Sequence, residues 1–256
     1  MGIILGLIGG GGSILTVPIL VYFFGVPATL ATGYSLIIVG ASSAIGGWKY
    51  HGQALVNWRV VRWFSLPSVV GVIIARLVIL PSIPATIGFG SLSFSNHQIV
   101  MIAFSILVVA TAVFMFRGQS KPSESKLNSK PSYGLIVFDG LLVGIFTGFV
   151  GAGGGFMIVP ALMLLLHLPL KRAIGTSLII ICIKSLMGGL TDILLGASFN
   201  YGLLMGVIAV TFFGVIIGTK INALVDPMLL KRGFAGFILV MGGLILIKEF
   251  FLAGGF

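Results

Sequence analysis

The chain has 256 residues, of which 58% are hydrophobic and only 8% charged, and its formal net charge at pH 7 is +10. Soluble domains carry about 25% charged residues, so this composition excludes a water-soluble enzyme, and the high apolar content excludes a disordered chain. The 15 Lys and Arg residues are scattered over loops and form no basic helix face, which argues against a nucleic-acid partner.

Apolar stretches long enough to cross a bilayer recur along the chain. Residues 1–48 contain no Asp, Glu, Lys or Arg. A helix needs about 20 apolar residues to span about 30 Å of hydrocarbon, and the first half predicts three such helices, at 28–48, 59–80 and 98–116. This pattern is typical of a polytopic protein embedded in a lipid bilayer.

A hydrophilic linker divides the chain almost in half. Residues 117–131 read RGQSKPSESKLNSKP and hold five of the chain's charged residues, four of them positive. Such a composition predicts a solvated segment, and its positive charge places it in the cytoplasm. The predicted organisation is a membrane repeat at 1–116, the cytoplasmic linker, and a second membrane repeat at 132–256.

The two sides of the linker carry the same pattern. With an offset of 142 residues, 17 of the 42 positions in 6–47 are identical to those in 148–189, without a gap. Shared apolar composition would not align prolines at a fixed offset, yet Pro18 falls on Pro160. The sequence therefore predicts an internal duplication.

Charge placement orients the two repeats. In the first repeat, basic residues flank the loop 49–58, whereas the loop 81–97 has no Lys or Arg. In the second repeat the basic positions are 171–172 and 231–232, and the loop 192–200 has none. Basic loops lie inside the cell, and both sets do so only if the repeats have inverted topology.

Inversion requires an odd number of crossings in each repeat. The segments that precede the three helices, 1–25 and 133–167, must then cross an even number of times, as a hairpin does. The first limb of repeat 1 is about eight residues, or ~12 Å. Either this hairpin turns at mid-depth or Met1 is not the natural start. The predicted fold class is all-α, each repeat being a glycine-broken helical hairpin plus three transmembrane helices.

Glycine clusters lie where each hairpin would turn. A helix start offers free N–H groups and the positive end of the helix dipole, which together bind anions without a charged side chain. Glycine also lets another atom approach the backbone. The alternative is that these glycines serve only close helix packing. The candidate substrate-binding residues at the two turns are Gly10, Gly11, Gly12 and Ser13, and Ala152, Gly153, Gly154 and Gly155.

Other polar residues lie on the helices that follow the hairpins. The hydroxyls of Ser35, Thr176 and Ser177 are candidate donors to an anion, or they bond carbonyls of their own helices. Lys184 lies about 10 Å inside the outer end of the helix predicted at 171–191, where it either attracts an anion or extends outward to water.

Asp139, in the first limb of the second hairpin, is predicted to be the only carboxylate inside a span. It either couples transport to protons or bonds a neighbouring helix. Arg76 and Lys220 lie near helix ends and are predicted to extend to the membrane surface.

No enzyme signature is present. The sequence has no Ser–His–Asp spacing and no phosphate-binding loop, its single cysteine excludes a Cys-cluster metal site, and no cofactor or metal is expected.

The glycine-rich motif with its downstream residues resembles a known family. GAGGGFMIVPAL (151–162) followed by GTSL (175–178) is similar to the sulfite exporter TauE/SafE family, and the first copy departs by reading GYSL at 33–36. The resemblance covers both halves and implies transport of sulfite, organosulfonates or related small sulfur anions across the cytoplasmic membrane.

The expected function is therefore a secondary transporter for a small sulfur oxyanion that binds near the membrane midplane. Two alternatives remain: a channel-like facilitator for another small anion such as formate or sulfate, and a membrane component that delivers sulfur compounds to a partner enzyme. The energy source, the transport direction and assembly into a homo-oligomer stay open.

Inverted repeats predict opposite accessibility for two loops. In a Cys182→Ser background, Ser123→Cys should react with a membrane-impermeant maleimide only from the cytoplasm, and Ser198→Cys only from outside. Labelling of both variants from the same side would end the inverted-repeat interpretation.

Overall fold

The computed structural model describes residues 1–8, 12–84, 86–89, 92–117, 133–222, 225 and 227–253. In chain order its elements are α1 (Gly2–Ile8), α2 (Ser13–Tyr22), α3 (Ala28–Gly52), α4 (Trp58–Ile74), a π-helical turn (Ala75–Ile79) that continues α4, β1 (Thr86–Phe89), β2 (Leu92–Ser95), α5 (Asn96–Arg117), α6 (Tyr133–Val150), α7 (Gly155–Leu165), α8 (Leu170–Leu194), α9 (Tyr201–Asn222) and α10 (Pro227–Ala253).

Helices dominate the described chain. Six of them are long and apolar enough to cross a membrane, namely α3, α4 with its π-helical turn, α5, α6, α8 and α9. The prediction of a helical polytopic membrane protein is therefore confirmed. The strands β1 and β2 form only a short antiparallel hairpin, which the sequence analysis assigns to a loop because four-residue strands leave too short an alternation to detect. Apart from Arg117, which ends α5, the predicted linker 117–131 lies outside the described residues.

Each repeat begins with two helices that a glycine turn separates. The second limbs, α2 and α7, have 10 and 11 residues and are therefore about 15–17 Å long, half of what a crossing needs. The first limbs differ, since α1 has 7 residues and α6 has 18. Both turns consequently lie within the membrane-embedded part of the protein.

The helices α3 and α8 form the central pair. In the apolar 18-residue segment of each helix, 67% of the residues are buried inside the protein. Gly40 lies against Leu186, and Gly47 lies against Ile179, so residue numbers rise along α3 as they fall along α8. The two helices are thus antiparallel. Their glycines allow this approach, because a Cβ added to Gly40 would lie 3.0 Å from the backbone nitrogen of Leu186.

The remaining helices pair across the two halves of the chain. The helix α6 lies along α4, α1 lies along α9, and both pairs run parallel. Backbone meets backbone in each pair: a Cβ on Gly144 would lie 2.2 Å from the carbonyl oxygen of Ser68, and one on Gly6 would lie 2.5 Å from that of Val215. The helices α5 and α10 also pack together. When each helix is replaced by its counterpart in the other half, the pair α4–α6 becomes α9–α1, and the pairs α3–α8 and α5–α10 stay the same.

The α4–α6 contact predicts a clear cost for one added methyl group. Gly144→Ala must push α6 away from α4, and overpacking of this kind typically costs about 1–3 kcal/mol. We expect the Tm of the detergent-solubilised variant to fall by several degrees. Gly206→Ala on α9 is the matched control, since its Cβ would meet nothing within 4 Å. An equal Tm for the two variants would contradict the packing described above.

Candidate anion-binding site

The turn of the second repeat is built from glycines that adopt left-handed backbone angles. Gly153 has φ +62° and Gly154 has φ +71°, a region that side-chain-bearing residues rarely adopt. Gly154 caps α7, and Gly155 is the first residue of that helix. The first N–H groups of a helix have no acceptor within it, so the start of α7 presents free donors.

The turn of the first repeat lies beside it. Gly12 precedes α2, and the buried Ser13 begins that helix. A Cβ on Gly153 would lie 3.3 Å from the Cβ of Ser13 and 2.5 Å from Cγ1 of Val39. Val39 is close to the middle of the 25-residue α3, so both turns lie level with the centre of this span. Gly10 and Gly11 lie outside the described residues.

Lys184 brings a positive charge to the second turn. Its side chain is 0% exposed, and its Nζ donates a hydrogen bond to Oγ1 of Thr147. A Cβ on Gly154 would lie 2.7 Å from this Nζ. The ammonium group therefore lies against the turn inside the protein and does not extend outward to water.

The charge of Lys184 has no carboxylate partner in the described part of the chain, where the one ion pair is between Arg76 and Asp192. Thr147 gives its own proton to the carbonyl of Val143, at 2.6 Å, so its oxygen accepts from the ammonium group. An ammonium group has three donors, and burying one without a counter-ion is costly. The N–H groups at the start of α7 and the Nζ of Lys184 thus bring several hydrogen-bond donors to one turn, which is the chemistry that an anion requires.

The three hydroxyl groups predicted to contact an anion do not all lie beside the glycine turns. Ser35 is fully buried on α3, and its Oγ has no hydrogen-bond partner among the described residues. Thr176 instead accepts from the backbone N–H of Asn57, at 3.0 Å, and Ser177 donates to the carbonyl of Ile174. Thr176 lies eight residues before Lys184, about 12 Å along α8. Its hydroxyl holds the connection between α3 and α4.

Asp139 also lies away from the turns. It is in the first half of α6, twelve residues before Gly151, which is about 18 Å along the helix. The side chain is partly buried, and Oδ2 has no hydrogen-bond partner in the described chain. Asp139 therefore cannot touch an anion at the glycine turns.

The prediction that Arg76 extends to the membrane surface is wrong. Arg76 is 1% exposed, and its Nη1 lies 3.1 Å from Oδ2 of Asp192 and 3.0 Å from Oγ1 of Thr32. Asp192, which the sequence analysis assigns to a loop, belongs to the last turn of α8. The ion pair makes the burial of both charges tolerable.

The prediction that Asp139 is the only carboxylate inside a span is wrong as well, because the buried Asp192 belongs to α8, one of the six helices that can cross a membrane, and a further buried carboxylate lies on α10. Glu249 on α10 is 0% exposed, and its Oε1 accepts a hydrogen bond of 2.6 Å from the hydroxyl of Tyr22. Lys248 lies over the ring of Tyr22, with Nζ 3.7 Å from the ring centre. The sequence does not indicate this contact of Tyr22 with Lys248 and Glu249, because a Lys–Glu pair near the end of an apolar stretch is typical of a helix end exposed to water.

Comparison with known proteins agrees with the helical membrane architecture. A probable membrane transporter protein of Xylella fastidiosa is 31% identical over 186 residues, which cover 70% of this chain and 65% of the relative's own length. A probable membrane transporter protein of Methanocaldococcus jannaschii is 26% identical and covers 96% of this chain and 92% of its own. A third, from Bacillus subtilis, is 25% identical over 90% of both chains. No solved structure matches significantly.

The family comparison covers nearly the whole chain. The family model described as sulfite exporter TauE/SafE matches residues 1–245. This match includes both glycine turns, the antiparallel helices α3 and α8, and the buried Lys184. The chain belongs to the sulfite exporter TauE/SafE family of membrane transporters.

Proposed function

We propose that this protein is a secondary transporter that moves sulfite, an organosulfonate or a related small sulfur oxyanion across the cytoplasmic membrane. The anion binds between the two glycine turns, near the middle of the bilayer. Lys184 supplies the positive charge, and the N–H groups at the start of α7 supply hydrogen bonds.

The observation that carries this proposal is the buried ammonium group of Lys184 beside Gly154 without a carboxylate partner in the described residues. A polar network designed only for stability would neutralise such a charge. An anion with several oxygens completes the site, because it accepts from the ammonium group and from the helix start together. Ser35 and Ser13, both buried on neighbouring helices, are further contacts in this proposal.

We also propose that the two repeats have inverted topology, with the linker in the cytoplasm. The antiparallel packing of α3 against α8, and the exchange of α1 and α6 between the halves, support this arrangement. Two inverted repeats around one central site provide alternating access by rocking of one repeat against the other.

Flux into proteoliposomes tests the substrate class. Purified protein would be assayed with radiolabelled sulfite, thiosulfate, taurine, sulfoacetate, sulfate and formate, with and without an imposed pH gradient. Selective sulfite or sulfonate flux supports the proposal. If this flux grows with the gradient, transport is coupled to protons and Asp139 becomes the first candidate for the coupling carboxylate; if it does not, the protein is a facilitator. Selective formate or sulfate flux would instead favour the alternative of a channel for another small anion.

Replacement of Lys184 separates a binding role from a structural one. Lys184→Gln should lower sulfite flux at least about tenfold, since a hydrogen bond to a charged group contributes about 1.5–3 kcal/mol. Because an unpaired buried charge is removed, the Tm without anion should equal or exceed that of the wild type. Lys220→Gln, an exposed position on α9, is the control for lost charge. A lower Tm with proportionate loss of flux would indicate a structural lysine.

Gly154→Ala tests whether the turn itself forms the site. The added methyl group would lie 2.2 Å from Cγ2 of Thr147 and 2.7 Å from Nζ of Lys184, so it displaces the ammonium group. We expect flux to fall at least about tenfold. Gly196→Ala is the matched control, because Gly196 has φ +83° and its Cβ would meet nothing within 4 Å. It carries the same backbone strain without the crowding, and equal flux in the two variants would refute the site.

A further inference from the structure

Arg76 has an unused hydrogen-bonding edge inside the protein. Its Nη1 donates a hydrogen bond to Thr32 at 3.0 Å and forms an ion pair with Asp192, whose Oδ2 is 3.1 Å away and accepts no hydrogen bond from the described residues. The other two nitrogens, Nε and Nη2, are buried and have no hydrogen-bond partner among the described residues. Buried donors left without acceptors are costly, so this edge needs an acceptor that is not part of the described chain.

The free edge has a specific chemistry. Nε–H and Nη2–H point in parallel along one side of the guanidinium plane, and this side binds two oxygens of a single carboxylate, sulfonate or phosphate group at once. Asp192 does not use it, because its contact is to Nη1 alone. The geometry therefore fits an oxyanion with two oxygens on one central atom.

The location of Arg76 relates it to the glycine turn. Thr32, which accepts from Arg76, also packs on the turn, since a Cβ on Gly151 would lie 2.3 Å from the Cβ of Thr32. Asp192 lies eight residues beyond Lys184 on α8, about 12 Å along the axis and in the last turn of the helix. Arg76 thus lies between the level of Lys184 and the face of the protein that contains loop 195–200.

The backbone at Arg76 is also unusual. The residue belongs to the π-helical turn Ala75–Ile79 at the end of α4, and such turns occur frequently at functional sites. Gly71 and Gly214 mark corresponding places in the two repeats, so the counterpart of Arg76 is Thr219. The second repeat therefore has no arginine at the position that corresponds to Arg76.

We propose that Arg76 is a second anion-binding residue, located on the path between the Lys184 site and the face with loop 195–200, and that Asp192 is a resident counter-ion which the passing anion replaces. This inference rests on the proposed transport function. The anion binds side-on to Nε and Nη2, and its negative charge weakens the hold of Asp192 on Nη1. The ligand class is a small oxyanion, as for the central site.

Asp192→Asn provides the sharpest test. The substitution keeps the shape of the side chain and removes the competing charge. The KM for sulfite flux should therefore fall about fivefold or more, the size of a typical coupling between two ligands. Sulfite, at constant ionic strength, should also raise the Tm of this variant more than that of the wild type. If KM and the sulfite-dependent Tm shift both stay unchanged, water satisfies the free edge and the inference is wrong.

A double variant covers the case in which Asp192→Asn alone fails to fold. Arg76→Gln combined with Asp192→Asn leaves neither charge unpaired and is expected to fold. Its KM for sulfite should rise about tenfold or more, whereas Lys220→Gln should keep the wild-type KM. A wild-type KM in the double variant would overturn the inference and make the ion pair purely structural.

Failure of the proposed function is distinguishable from failure of this inference. Wild-type protein that carries no anion of the panel refutes the proposed transport. The Tm comparison still decides the role of Arg76 in that case. If no anion of the panel raises the Tm of Asp192→Asn more than that of the wild type, the second site is refuted. A normal wild-type flux that depends on Lys184 would still support the first site in that case.

Discussion

Backbone that leaves helical geometry inside a bilayer must be enclosed by protein, because hydrocarbon cannot satisfy its N–H and carbonyl groups. In the described chain α1 ends at Ile8 before α2 begins at Ser13, and α6 ends at Val150 before α7 begins at Gly155; much of the architecture encloses the places where these helices end. The antiparallel helices α3 and α8 flank the turns, and Val39 and Lys184 from their middle thirds touch them. The first limbs are held by helices of the opposite repeat, so each half completes the enclosure of the other. Glycine recurs at these contacts because any larger residue would separate the helices.

The charges inside the protein are compensated in different ways. Arg76 and Asp192 neutralise each other across the two repeats, and Lys49 donates to Thr219 of the other repeat at 2.8 Å. Lys184 has only a hydroxyl as its acceptor in the described chain. The described chain thus leaves the positive charge of Lys184 without a carboxylate partner where the two broken helices meet. Under the proposed function, this is where the anion binds.

Much of this fold could be predicted from the sequence, since repetition and length are one-dimensional signals. The offset between Pro18 and Pro160 indicated the duplication, and apolar runs gave helices whose observed ends differ by only a few residues. The rise per residue also placed Lys184 at depth. The rise per residue gives the depth of a residue but not the direction of its side chain. For this reason the same reasoning wrongly predicted that the side chain of Arg76 extends to the membrane surface.

The missed contacts join residues far apart in the chain. Asp192 and Arg76 are separated by 116 residues, and Glu249 and Tyr22 by 227, so no local pattern links them. Thr176 was grouped with Ser177 because the two are adjacent, but adjacent residues on a helix point about 100° apart and meet different neighbours. Candidate sites drawn from motifs therefore need the packing of helices before they can be reduced to the groups that share one space.

Lys184 has no charged counterpart in the first repeat, where Ser42, itself fully buried, stands at the corresponding position. A carrier with two equivalent halves would meet its ligand with the same affinity from either side of the bilayer. In the proposed carrier, an ammonium group in one half removes that equivalence, so the inward-facing and outward-facing states would differ in how tightly they hold the anion. Detailed balance then fixes a single ratio between the half-saturation constants and maximal rates of the two directions. Under the proposed function, one face would then capture the anion at lower concentration than the other, while equal concentrations would still give no net flow.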